Sequence, residues 1–323
     1  MTDNDVTGPG GDQHAWYRAV LARCAALAPV VTAVAHPCDA LSLGAAVEAA
    51  DLGLIDPILV GPEAKVRAAA DAARVDISRF RLEPAPHSHA AAAQAVALVR
   101  SGQAGLLMKG ALHTDELMHE VMQPDTGLRT ERRISHVYLM DVPGYGRPLL
   151  VTDAAINIAP SLLDKRDIVQ NAIDLAHVMQ IDNPKVAILS AVETVNPQLQ
   201  STVDAAALCK MADRRQIVGG VLDGPLAFDN AISEEAARDK GIVSPVAGHA
   251  DILVVPDLVS GNILAKQLIF IAHADAAGVV LGARVPIILT SRADAERTRI
   301  ASCAVAVLMS QIEVIAVKPP AHG

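Results

Sequence analysis

Between Arg284 and Arg299 the chain reads RVPIILTSRADAERTR, a dense grouping of residues able to handle an anion. Val285 to Thr290 is a short apolar run with β-branched side chains, which predicts a buried strand. Ser291 ends the run, and Arg292, Asp294, Glu296, Arg297 and Arg299 follow. From Ala295 the apolar spacing turns helical through Ile300, Ala304, Val307 and Leu308. In an open α/β sheet the turn between such a strand and helix lies at the strand's carboxyl end, where ligands bind and the helix offers free backbone N–H groups to an anion. Arg292, immediately after the strand, is the functional candidate. Arg297 and Arg299 fall in or beside the first helical turn and read as a solvated face.

The elements that must position this turn belong to a chain of 323 residues, enough for two domains. Its formal net charge is −9, so the global field does not attract phosphates and any anionic ligand needs a local cationic cluster. An aromatic content of 2% and the acidic balance argue against nucleic acid as a partner. The four cysteines, Cys24, Cys38, Cys209 and Cys303, show no zinc or thioredoxin-like spacing and read as buried small hydrophobes. No apolar stretch reaches the ~18 residues of a membrane span, and the polar N-terminus is unlike a signal peptide. The expected compartment is the cytoplasm, with no membrane partner.

Strand and helix patterns alternate along the first half. Val30 to Ala35, Pro57 to Gly61, Phe80 to Pro84 and Gly105 to Gly110 read as strands, separated by helices at Leu41 to Asp51, Glu63 to Arg74 and Ala90 to Arg100. This rhythm means βαβ units and a mostly parallel sheet. It breaks at Ile134 to Ala155, where two extended runs flank Pro143, Gly144 and Gly146 and predict a hairpin. A second series follows: helix Ser161 to Met179, strand Val186 to Val192, helix Ser201 to Ala212, strand Ile217 to Pro225, helix Ser233 to Lys240, strand Asp251 to Asp257 and helix Asn262 to His273. The last long helix, Glu296 to Val314, is expected to return to the first domain. The expected architecture is therefore α/β, with two α/β/α domains and a central cleft. The first comprises residues 13–145 plus 288–323, the second residues 146–287, and the Ser291 turn lies between them.

Several strings, in this order and spacing, resemble the phosphate acetyl/butyryltransferase family: MKG (Met108 to Gly110), SHV (Ser135 to Val137), VTDAAINIAP (Val151 to Pro160), VAILSAVE (Val186 to Glu193), DGPLAFD (Asp223 to Asp229), VVPDLVSGNILAK (Val254 to Lys266) and PIILTSRAD (Pro286 to Asp294). The resemblance covers about Val30 to Met309. It implies a fold shared with isocitrate and isopropylmalate dehydrogenases, usually as a homodimer. It implies reversible exchange of an acyl group between coenzyme A and phosphate, with no metal and no redox cofactor. Ser291 and Arg292 match the family's Ser-Arg pair. Where acetyl-specific members carry an Asp, six residues past that Arg, this chain has Thr298. Asp294 then becomes the first candidate for the base that deprotonates the thiol, with a helix cap as its structural alternative. These departures resemble the butyryltransferase branch and the phosphate-acyltransferase half of fusions with an enoyl-CoA hydratase. Such a hydratase is thereby a possible partner, and the acyl group is acetyl, propionyl or butyryl.

In this chemistry Arg292 supplies a bidentate fork and Ser291 a hydroxyl donor for developing oxygen charge. Lys109, which ends an apolar strand, and Lys266, four residues after Asn262 on one helix face, become phosphate-contact candidates. Ser135 in the SHV string joins the substrate-binding set. Asp153 is expected to hold Arg292 or to cap the turn that follows it. His136 reads more readily as a satisfied structural histidine than as a base. No P-loop or dinucleotide fingerprint occurs. Two alternatives remain: a metal-dependent NAD-linked decarboxylating dehydrogenase on the same fold, and a non-catalytic coenzyme A-binding or scaffold protein.

Overall fold

The computed structural model describes residues 14–290 and 294–311. Ser291 and Arg292 lie outside the described residues, as do the two termini.

Helix α1 (Ala15–Cys24) leads into β1 (Val30–Ala35), α2 (Ala40–Asp51), β2 (Ile55–Gly61), α3 (Glu63–Ala73), β3 (Arg81–Pro84), α4 (Ser88–Arg100), β4 (Leu106–Lys109) and α5 (Thr114–Val121). The predicted hairpin is β5 (Ser135–Asp141) and β6 (Pro148–Thr152), paired antiparallel from Val137↔Thr152 to Asp141↔Pro148. Then come α6 (Leu162–Val178), β7 (Lys185–Leu189), α7 (Gln200–Asp213), β8 (Val221–Leu226), α8 (Phe228–Ile232), α9 (Glu234–Asp239), β9 (Ile252–Val254), α10 (Leu258–Phe270), β10 (Asp275–Leu281), β11 (Ile287–Ile288) and α11 (Glu296–Ser310).

Among the described residues, eleven strands form one sheet in the order β3-β2-β1-β4-β11-β10-β5-β6-β9-β7-β8. From β3 to β11 the strands run parallel. From β6 to β8 they are parallel again. Because β10 is antiparallel to both β11 and β5, and β5 to β6, the two parallel halves run in opposite directions.

Side chains alternate across a strand, so each strand feeds two layers. On one face the apolar residues form a single cluster spanning both halves, through Val34, Met108, Ile288, Val279, Val137, Leu150, Val186 and Ile188. Helix α11 covers its middle: every residue from Arg299 to Leu308 is buried, as suits a helix wrapped on all sides. It packs on β10, α1 and α2, and the Cys24 thiol of α1 reaches the Ala304 carbonyl at 3.5 Å. Each Ile, Val or Leu so buried contributes roughly 1.5–3 kcal/mol. Arg299, expected in solvent, is buried in the first turn of this helix.

The opposite face is divided. One cluster joins Ala33, Ala35, Leu107, Ile287, Leu289 and Val280 beneath α4 and α5. The other joins Met140, Leu149, Val151, Ala187, Leu253 and Ala276 beneath α8, α9 and α10. Between them the inward positions of β4, β5 and β10 are Lys109, His136, Tyr138 and Gly278.

Three departures from the sequence pattern have local causes. The apolar run from Val285 yields only Ile287–Ile288 as strand, since Pro286 has no N–H for a ladder. Helix α10 starts four residues earlier than its periodicity suggests, because the Asp257 side chain accepts from Ser260 N at 2.9 Å and caps it. Cys38 and Cys209 are half-buried rather than buried, whereas Cys24 and Cys303 are sealed as expected. Burial pushes all four thiols up, Cys24 and Cys38 to about 11 and Cys209 and Cys303 to about 12.

Candidate active site

A cavity of about 310 Å³ occupies the gap between the two inner clusters, lined by Lys109, Leu112, His113, Thr114, His136, Tyr138, Ala155, Leu289 and Thr290. Its floor is the sheet and its walls are three loops. The first follows β4, where Gly110 N donates to Ala35 O at 2.9 Å and Ala111 N to His36 O at 2.8 Å, pinning the loop to the end of β1. Lys109, 7% exposed, turns its ammonium back on this loop and donates to Leu112 O at 3.1 Å and Gly110 O at 3.3 Å. A buried cation at a cavity wall is a ready counter-charge for an anionic ligand.

His136 and Tyr138 share one face of β5, with ring centroids 4.4 Å apart in an edge-to-face arrangement. Room for the imidazole comes from Gly278 on the neighbouring strand. A Cβ there would stand 2.9 Å from His136 Nε2 and 3.0 Å from Leu289 O. Beyond Ile288, β11 no longer pairs with β10, and Gly278 N donates instead to Ser302 Oγ at 2.9 Å. His136 is 1% exposed, and its Nδ1 has no hydrogen-bond partner among the described residues. Burial lowers its pKa to about 4 against the opposing pull of the Asp153 charge, so the ring is neutral at pH 7. Burial first, and then the charge of Asp294, push the Tyr138 phenol up to about 12, leaving it an O–H donor.

Asp153 opens the second loop with its carboxylate fully engaged. Oδ1 accepts from Ala155 N at 2.9 Å and Ile156 N at 3.0 Å, while Oδ2 accepts from Asn157 N at 3.2 Å and Asn157 Nδ2 at 2.6 Å. Of its two expected roles, capping the following turn is present; the other, holding Arg292, falls on a residue outside the described ones. The segment from Ile156 to Pro160 continues into a second cavity of about 300 Å³, where Arg133 Nε donates to Asn157 Oδ1 at 2.6 Å.

Thr290, the last described residue before 291–293, also lines the cavity. Asp294 stands on the far side of that gap, close enough to act on Tyr138. It does not cap α11: the N-cap position is Ala295. The remaining sequence candidates are not among the lining residues. The hydroxyl oxygen of Ser135 accepts from Asn171 Nδ2 at 2.8 Å in the core. Asn262 Nδ2 donates to Ala154 O at 3.2 Å, bracing the Asp153 loop, and Lys266 is exposed on α10. Tyr138, Thr290, Leu112 and Gly278 were not singled out from sequence. Two signals pointed to them: Tyr138 is two residues after His136 on a strand, and Gly278 is an isolated glycine inside one.

Residues 85–307 match the family model for phosphate acetyl/butaryl transferase. The chain is 67% identical over 296 residues to a phosphate acetyltransferase of Rhizobium meliloti, covering 92% of this chain and 94% of that one. It is 42% identical over 278 residues to a phosphate butyryltransferase of Clostridium acetobutylicum, covering 86% and 92%. A branched-chain phosphotransacylase from Enterococcus faecalis V583 superposes with a TM-score of 0.75 at 31% identity, over 87% of this chain and 99% of that one. With the family model matched over residues 85–307 and relatives this similar over most of their length, this chain belongs to the phosphate acetyl/butyryl transferase family.

Proposed function

We propose that this chain transfers a short acyl group, acetyl foremost, reversibly between coenzyme A and inorganic phosphate. The observation that carries it is Lys109, a buried ammonium at a cavity on the seam of the sheet, in a chain 67% identical to a phosphate acetyltransferase. The apolar lining at Leu112, Ala155 and Leu289 suits a short acyl chain beside the cation. In this reading Lys109, Ser291 and Arg292 bind the phosphate and the developing oxyanion, and Tyr138 donates its O–H. A free thiol with a pKa near ~8.5 is mostly protonated at neutral pH, so a carboxylate at Asp294 serves as its base. Asp153 and Ser135 hold the wall and the strand behind the site. Asn262 and Lys266 lie outside the cavity, where only the outer end of a ligand as long as coenzyme A extends.

The split inner face supports a two-domain reading, residues 13–145 with 288–323 against 146–287, in the manner of isocitrate and isopropylmalate dehydrogenases. Val259, Ile263 and Phe270 form an exposed apolar stripe along α10, which supports a homodimer through the second domain. The dehydrogenase alternative is not favoured, since the curated relatives are transferases. A separate enoyl-CoA hydratase as partner rests on the resemblance to fused proteins alone.

The test is thiol release from acetyl-, propionyl- and butyryl-CoA, with and without phosphate and with no added metal. Phosphate-dependent release, fastest with acetyl-CoA, is the expected result. Release indifferent to phosphate would mean a thioesterase, and no release would leave a binding protein.

A further inference from the structure

Of the cavity-lining polar groups that the proposed chemistry leaves unused, His136 is the most deeply buried. His136 is sealed in the floor, makes the edge-to-face contact with Tyr138, and has a ring nitrogen without a partner among the described residues. Buried polar atoms are nearly always paired, and an exception beside a cavity is a place where a ligand completes the pairing. The surroundings are arranged to keep the ring where it is. Gly278 leaves the space that any other residue would fill, and Thr152 Oγ1 donates to the His136 carbonyl at 2.8 Å, fixing its backbone.

We propose that His136 is a substrate-contacting residue whose imidazole N–H donates a hydrogen bond to an oxygen of the acyl group or phosphate bound beside Lys109. The inference rests on the transferase reading and deepens it. The ligand class follows from donor and acceptor types: an acyl phosphate or a thioester with phosphate presents oxygen acceptors, and a neutral imidazole has one N–H to offer. No proton leaves the ring. The imidazole strengthens its contact as negative charge grows on the oxygen, and being neutral it adds no competing cation to that of Lys109. A histidine serving only as core packing would have both nitrogens paired or would stand away from the cavity.

The test uses His136→Asn, whose amide N–H stands near the position of Nδ1, and His136→Leu, which offers no donor. The full-length protein is assayed for phosphate-dependent thiol release, with thermal melts alongside. The expected result is a loss of ~10²–10³ in kcat for His136→Leu with its melting temperature held or raised, because an unpaired buried nitrogen has been removed. His136→Asn should recover at least tenfold of that loss. Parental kcat in His136→Leu would overturn the proposal. So would equal losses in the two variants, or a loss of activity that only tracks a falling melting temperature. If His136→Leu does not fold, His136→Asn against His136→Gln decides: the proposal requires their kcat values to differ, because the two amides place the donor differently, and equal values overturn it. A parent chain that releases no thiol with phosphate would instead sink the transferase reading and leave His136 to be tested by binding of acyl phosphate alone. In that case, equal affinity of the parent and His136→Leu would overturn the contact.

Discussion

Two buried polar side chains on one hairpin, Asp153 at the end of β6 and His136 at the start of β5, differ in how they are satisfied. The Asp153 carboxylate accepts from four N–H groups, all within its own turn. The His136 ring has an unpaired nitrogen and a cavity beside it. The first arrangement is complete without a ligand and therefore serves as scaffold. The second leaves one nitrogen unmatched among the described residues, which is what the proposed substrate contact would complete. Burial is common to both side chains, and the count of unmet hydrogen bonds is what sets them apart.

The largest way to break this contrast is Asp153→Ala. It orphans three backbone N–H groups, each costing about 1–3 kcal/mol with partial relief from relaxation, and removes one of the two acceptors of Asn157 Nδ2, leaving Ile134 O. A loss of ~3–5 kcal/mol in urea unfolding is expected, with activity falling because the wall at Ala155 loosens. A loss below ~1 kcal/mol would show that the turn does not need its carboxylate.

The next test is the pH dependence of stability. The His136 pKa is about 4 folded against an ordinary 6.5, so between those values the unfolded chain binds more protons and stability rises with pH. The contribution is full above about pH 6.5 and is lost as pH falls through 4, amounting to at most about 3 kcal/mol. Glu48 works oppositely. Burial, with the charge and hydrogen bond of Glu296, raises it to about 7, so its contribution is lost as pH climbs from 4.5. The measurement is therefore the difference between parent and His136→Asn, which should grow with pH across that window. A flat difference would mean that His136 titrates as it does in the unfolded chain.

The smallest effect is expected from Gly278→Ala, where the new methyl meets His136 Nε2 and a backbone carbonyl. Overpacking of this kind costs about 1–3 kcal/mol. Because the imidazole is the softer neighbour, activity should fall more than stability. An active, stable Gly278→Ala would show that the ring has slack.

Much of the fold was legible from period and punctuation. β1 has the bounds its apolar run predicts, and the hairpin at Pro143 to Gly146 was marked by its turn residues. The early start of α10 was hidden because its signal is a single capping aspartate inside an apolar string. The burial of Arg299 was hidden because helical spacing gives a face but not what covers it. At the site, Lys109 and Asp294 are candidates from type and position, and the structure puts the first at the cavity wall and the second near Tyr138. His136 was read as a satisfied histidine, since whether a nitrogen has a partner depends on strands distant in sequence. Tyr138 and Gly278 were missed for the same reason: the seam exists only once β10 and β5 are paired. Ser291 and Arg292, the strongest sequence candidates, remain to be tested by substitution.

The placement of β11 also bears on how the chain is made. Its two residues sit between β4 and β10, in the middle of the sheet, yet they follow the ten other described strands along the chain. Until Ile287 and Ile288 leave the ribosome, β4 has an open edge and the two halves have no strand to join them. Helix α11, which seals the shared core, follows later still. Until both have emerged, the nascent chain must therefore hold an unpaired edge and an uncovered apolar face, the state in which aggregation competes with folding and chaperones act.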